Sequence, residues 1–259
     1  MIVKRRFSLM PTVVKNLLII NGLFFLGMYS IRNTFGIDIT DWLGLYFPLS
    51  DSFLPVQLVS HMFMHGNMGH IFSNMIMLWF LGSAMENYWG PKRFLIYYLL
   101  TGLGASALQI GVNALEYVNI ASNVSDEMLT LITSGEIQLG YISEGMMYGK
   151  EVWIKGTEMF KPASTAEIQL FQFLNSPMVG ASGAVFGVLL AFGMTFPNQV
   201  IYLNFFFPIK AKYFVIGYGL LELYNGFAVS NSGIAHFAHL GGMLFGYLLI
   251  RKWRREMYL

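Results

Sequence analysis

The placement of charge along this 259-residue chain constrains its fold more than any other feature. Long apolar stretches follow one another, and most of the charged residues lie between or beside them. Only 12% of the residues are charged, 55% are hydrophobic and the mean hydropathy is +0.54. A soluble domain usually carries about 25% charged residues. The chain therefore reads as one dissolved in lipid, where a spanning helix needs about 20 mostly apolar residues. Segments of this kind are 13–31, 69–85, 93–114, 178–196, 212–229 and 235–250, which gives a count of six spans and an all-α polytopic bundle.

The connecting segments test that count, because basic residues concentrate on the cytoplasmic side of a membrane. The N-terminal tail holds Lys4, Arg5, Arg6 and Lys15. The first loop, 32–68, sets Arg32 against Asp38, Asp41 and Asp51, and the second carries Lys92 and Arg93 beside Glu86. The third, 115–177, has Lys150, Lys155 and Lys161 against eight acids from Glu116 to Glu167. The fourth has Lys210 and Lys212, the fifth has no charge, and the C-terminal tail ends in Arg251, Lys252, Arg254 and Arg255 against Glu256. Basic connections alternate with acidic or neutral ones, as expected of six spans with both termini cytoplasmic.

The basic start before an apolar run has the form of a signal peptide. However, no small-x-small cleavage site follows Ile31, so a retained first helix is expected. The whole chain, 1–259, reads as one membrane domain, with short cytoplasmic tails at about 1–12 and 251–259 and a long extracytoplasmic loop at about 115–177. A short helix is expected around 126–133, and a strand or two around 136–155. With no cysteine, the chain has no disulfide and no thiol nucleophile. A net charge of +2 is too small to argue for nucleic acid. No cofactor is expected, and the oligomeric state is not readable.

The polar residues inside the apolar segments carry the chemistry, since ionisable groups in a span are costly and functional by default. Ser182 stands in Gly180-Ala-Ser-Gly-Ala-Val-Phe-Gly187, where flanking glycines let a substrate backbone approach. Gly183 and Gly187 equally suit close helix packing. All five histidines fall in two groups, His61, His65 and His70, then His236 and His239. Under the six-span topology the second, fourth and sixth helices start on the same side. His70, Ser182 and His239 then lie at one depth, and packing alone does not require that coincidence. A serine beside a histidine makes an activated nucleophile with its general base. No Asp or Glu falls at that depth in these three helices, so the reading is a two-residue dyad, with Glu222 facing a polar gap or the cytoplasmic end of the fifth span. His70 and Asn74, one turn apart, stand with the Ser182 backbone N–H as candidate oxyanion donors. His61 and His65 have the spacing of a metal pair but lack a carboxylate partner, so no metal is expected.

These residues together resemble the rhomboid family of intramembrane serine proteases. The likeness rests on His61-x3-His65-x4-His70-x3-Asn74, on Gly180-Ala-Ser182-Gly183 and on Ala238-His239-Leu-Gly-Gly242, with Glu86 and Gly90, Phe94 and Tyr97-Tyr98 in support. It implies a six-helix bundle with a partly embedded first loop, a Ser182–His239 dyad, and His70 and Asn74 at the oxyanion site. Gly180, Gly183, Phe186 and Gly242 support it. It also implies transmembrane protein substrates of a single span, cut near the extracytoplasmic boundary. In the family, access is lateral, past the fifth helix (212–229) and under the 226–235 connection. Two departures stand out: Val56-Gln57 replaces a Trp-Arg or Trp-Gln pair, and Phe186 stands where some members have Tyr. Phe186 can still stack on His239.

The alternatives are an inactive relative that escorts membrane proteins, which would normally have lost Ser182 or His239, and a transporter, for which Glu222 is the one intramembrane carboxylate of note. The short basic tails favour a bacterial inner membrane.

Overall fold

The computed structural model describes residues 7–135, 137–141, 150–154, 160–162, 164–203, 206–228 and 234–257. Lys4, Arg5, Arg6, much of the strand region expected at 136–155 and the centre of the 226–235 connection lie outside those residues. Each of the six apolar segments contains a helix. The first is α1 (Thr12–Phe35). The connection after it carries α2 (Thr40–Leu43), α3 (Gln57–Ser60) and a 3-10 turn, His61–Phe63. Next, α4 (Met68–Met77), a π turn at Leu78–Gly82 and α5 (Ser83–Trp89) form one continuous helix. After Gly90 comes α6 (Pro91–Ala121). The long connection holds α7 (Asp126–Thr133), strands β1 (Ile137–Tyr141), β2 (Lys150–Ile154) and β3 (Phe160–Pro162), and α8 (Thr165–Leu174). Then come α9 (Ser182–Thr195), the hairpin β4 (Val200–Leu203) and β5 (Phe207–Lys210), α10 (Ala211–Ala228) and α11 (His236–Met257).

Three helices, Thr12–Phe35, Met68–Trp89 and Pro91–Ala121, are long and apolar enough to cross a membrane, and Ser182–Thr195 is a shorter apolar helix. The chain is a mostly helical integral membrane protein. It is not purely helical: β1, β2 and β3 pair antiparallel in that order, and β4 pairs with β5. The α7 helix falls where the sequence places it. The α8 helix, closed by a Ser164–Glu167 capping box, and the β4–β5 hairpin are additions. The tail expected at 251–259 is helical as far as Met257.

The α9 helix is apolar all round and sits at the centre, buried from Gly183 to Val188 without a break. Between lipid-embedded helices there is little hydrophobic drive, so contact relies on small residues that let backbones close up. A side chain on Gly242 of α11 would overlap the Gly183 carbonyl of α9. Beside that contact the buried Tyr97 hydroxyl of α6 donates to the Gly187 carbonyl at 2.8 Å.

At the other end of α4–α5, Glu86 is buried, not exposed in the second loop. The first turn of α1 has no side-chain cap of its own, leaving backbone donors to be satisfied. Glu86 supplies both oxygens: Oε1 accepts the Val13 N–H at 2.9 Å and Oε2 the Val14 N–H at 2.8 Å. A carboxylate there also complements the positive helix end. Glu86→Ala should lower stability by about 1–3 kcal/mol, the cost of orphaning buried donors, and Glu86→Gln by less. Thermal unfolding of the purified protein in detergent measures this; an alanine variant as stable as wild type contradicts the cap.

Candidate active site

The segment leading to Ser182 is tied down by backbone pairing. Leu45 and Met178 exchange two hydrogen bonds, at 2.9 and 2.8 Å, which joins the first loop to the approach to α9. Gly180 N–H then donates to the His61 carbonyl at 2.9 Å. The His61 ring is itself fixed between Gln57 and Ser106, with Nδ1 2.7 Å from the Gln57 carbonyl and Nε2 3.1 Å from Ser106 Oγ. Burial pushes the His61 imidazole down to about 4, so it stays neutral. Its Nδ1–H then donates to Gln57, and Nε2 accepts from the serine hydroxyl. His61 therefore has a structural bonding pattern.

Gln57, which follows Val56 where the family pattern has Trp, is fully buried and uses both ends of its amide. Its Nε2 donates to the carbonyls of Trp42 and Ser52, and its Oε1 accepts from the N–H of Leu54 at 3.1 Å and of Tyr46 at 3.4 Å. One side chain thus closes the first loop on itself.

Ser182 is the first residue of α9, and Ala181 before it supplies no side-chain cap. The N–H groups of the first turn have no partner within the helix and carry its positive end. His239 lies in the first turn of α11, whose entry is held by Gln109 of α6: Gln109 Oε1 accepts the Ala238 N–H at 3.0 Å. The closeness of α9 and α11 at Gly183 and Gly242 puts Ser182 Oγ 2.8 Å from His239 Nε2. Phe186, one turn along α9, lies parallel to the His239 ring at 4.1 Å and 2°. It fixes the ring plane by stacking.

His70 and Asn74 approach from α4. Asn67 caps that helix by accepting the His70 N–H at 2.9 Å. The His70 ring meets the His65 ring edge-on at 5.1 Å. It also fills the space beside Gly180: a Cβ there would lie 2.8 Å from His70 Nε2 and 3.6 Å from Ser182 Oγ. Asn74 is buried, and its Nδ2 has no hydrogen-bond partner among the described residues. A buried donor without an acceptor is costly in a resting protein. The structure thus brings Ser182, His239, His70, Gly180 and Phe186 together, with Asn74 a turn beyond His70.

One group joins the site from a helix outside those three, α4, α9 and α11. A carboxylate does reach this depth: Glu222 Oε2 is 2.8 Å from His239 Nδ1 and 2.6 Å from His236 Nδ1. All three side chains are buried. Glu222 lies in the last two turns of α10, beside the first turn of α11 and at the opposite end of its helix from Lys212. The signal was present in the sequence: Glu222 continues the inward stripe Ala211, Val215, Tyr218 at helical spacing.

A family model described as the Rhomboid domain matches residues 54–143 and 146–255. "RHOMBOID-like protein 12, mitochondrial" of Arabidopsis thaliana is 29% identical over 188 residues, which are 71% of this chain and 42% of that protein. "RHOMBOID-like protein 4" of the same plant is 26% identical over 194 residues, 74% of this chain and 32% of that one. The chain spans less than half the length of either curated relative.

The glycine before the serine gives a direct test of this geometry. Gly180 has φ of 129°, a conformation open to little but glycine. Gly180→Ala should cost about 1–3 kcal/mol in backbone strain and displace His70. Gly111→Ala, in open space on α6, should be neutral or slightly stabilising. Equal unfolding temperatures for the two variants contradict the described approach to Ser182.

Proposed function

The chain belongs to the rhomboid family, and on that premise we propose that it is an active intramembrane serine endopeptidase that cuts single-span membrane proteins near the extracytoplasmic boundary. The observation that carries the reading is the 2.8 Å contact between Ser182 Oγ and His239 Nε2. A serine hydroxyl is a weak nucleophile until a base removes its proton. In this reading His239 Nε2 takes that proton as Ser182 Oγ attacks the scissile carbonyl. His239 then returns it to the leaving amine, and water attacks the acyl-enzyme by the same route. The negative charge that develops on the carbonyl oxygen falls among the Ser182 N–H, the His70 ring and the Asn74 amide. The unpartnered Asn74 Nδ2 suits that task, because a donor held in place for the transition state needs no reorganisation when charge develops.

The six helices act as six spans in this reading, with both termini cytoplasmic, and the substrate enters from lipid past α10. A bacterial inner membrane is the setting proposed.

Purified protein in liposomes should cleave a single-span test substrate, and Ser182→Ala and His239→Ala should each abolish cleavage. Asn74→Ala should lower kcat by about 10²- to 10³-fold, the effect of removing one oxyanion donor. A folded wild-type protein that cuts no single-span substrate supports the escort reading instead, and a Ser182→Ala variant that cuts at the wild-type rate overturns the nucleophile assignment.

A further inference from the structure

Glu222 is an unusual side chain to bury on α10. That helix fully buries only Ala211, Val215 and Glu222, so one of its three inward anchors is a carboxylate. Packing does not call for a charge there. The side chain instead meets two imidazoles through a single oxygen, at 2.6 Å from His236 Nδ1 and 2.8 Å from His239 Nδ1. These are hydrogen-bond separations. Two atoms bound to one zinc ion at about 2.0–2.1 Å in a tetrahedral site stand more than about 3 Å apart, so the three groups are arranged for proton sharing and not around an ion.

We propose that Glu222 is a positioning residue for His239, which turns the expected dyad into a Ser182–His239–Glu222 relay with its carboxylate supplied by α10. This rests on the reading of Ser182 as nucleophile. The argument is one of donors and acceptors. An ionised carboxylate only accepts, so the Nδ1 atoms of His236 and His239 must both carry hydrogen. With hydrogen on Nδ1, His239 presents the bare Nε2 lone pair to Ser182 Oγ and is ready to take its proton. Without the carboxylate, the other tautomer becomes available, in which Nε2–H donates to the serine and no longer serves as base. Phe186 stacks on the ring face and sets its plane; Glu222 sets which nitrogen faces the serine.

The same carboxylate acts during the reaction. Proton transfer from Ser182 makes His239 an imidazolium in a buried site, where an adjacent negative charge is worth far more than in water. The ionisable groups that face His239 are His70 from α4, Glu222 from α10 and His236 on its own helix. Glu222 is the acid among these described groups. His236 Nδ1 meets the same oxygen, so the carboxylate is clamped by two rings.

The test compares kcat and KM for wild type, Glu222→Gln and Glu222→Asp in liposomes, with Ser182→Ala as the blank. Glutamine keeps the shape and an acceptor but not the charge; aspartate keeps the charge on a shorter stem. The expected result is a fall in kcat of about tenfold to hundredfold for Glu222→Gln, with KM within about twofold and the unfolding temperature unchanged, and a partial recovery of kcat in Glu222→Asp. A packing role predicts the reverse order. The proposal is overturned when Glu222→Gln matches wild type in kcat, or when glutamine outperforms aspartate. Should Glu222→Gln fail to fold, His236→Asn, which releases one side of the clamp, must lower kcat at unchanged KM; an unchanged kcat overturns the proposal equally. Wild type that does not cleave at all is a failure of the protease reading, whereas cleavage that is indifferent to Glu222 is a failure of this inference alone.

Discussion

The contact between α9 and α11 at Gly183 and Gly242 is the constraint on which the rest of the site depends. No side chain fits at Gly242, because the Gly183 carbonyl occupies the space. In lipid, helices associate through such close contacts and through hydrogen bonds between them, since the solvent is as apolar as the side chains. The same approach that joins the two helices sets Ser182 Oγ within hydrogen-bond reach of His239 Nε2. Packing and chemistry are therefore one feature, and the glycines that read as packing residues in the sequence are also what allows the pair to meet.

The remaining parts hold the ends of those helices. Gln57 gathers the first loop, the Leu45–Met178 pairing ties it to the approach to α9, and His61 links that approach to Ser106 in α6. Phe47 of the same loop packs with Met128, Ile132, Leu170 and Leu174 into a second small core under the long connection. On the opposite side Gln109 holds the start of α11. Gln57 and Gln109 each satisfy with a fixed side chain backbone groups that water would satisfy in a soluble protein, as a low-dielectric surrounding requires.

Much of this was legible because the signals were local. Each of the six apolar runs contains a helix, a short helix was expected where α7 lies, and the phenyl ring of Phe186 was read as a stacking partner for His239. His70, Ser182 and His239 were readable as a set because each lies near the start of a helix that begins on the same side in the six-span reading. What escaped depends on pairing at a distance. Gln57 looks like an ordinary polar residue until the fold of its own loop is known, and Gln109 until its partner Ala238, 129 residues away, is known. Glu222 was seen, as facing a polar gap or the cytoplasmic end of its span, but its contact with His236 and His239 was not read. Its register on the inward stripe of α10 and the short return to His236 and His239 would have placed it correctly. The β4–β5 hairpin, whose strands are apolar but far too short to span, and the capped α8 within the long connection were not anticipated.

The most direct test of the Ser182–His239 pair is its reactivity, apart from any substrate. A fluorophosphonate probe, added to the protein in detergent or liposomes and followed by peptide mapping, reports whether a serine is activated and which one. The predicted result is a single adduct on Ser182 that disappears in His239→Ala while the protein stays folded. Absence of an adduct on folded wild type, an adduct on another serine, or labelling of Ser182 that is indifferent to His239 contradicts it.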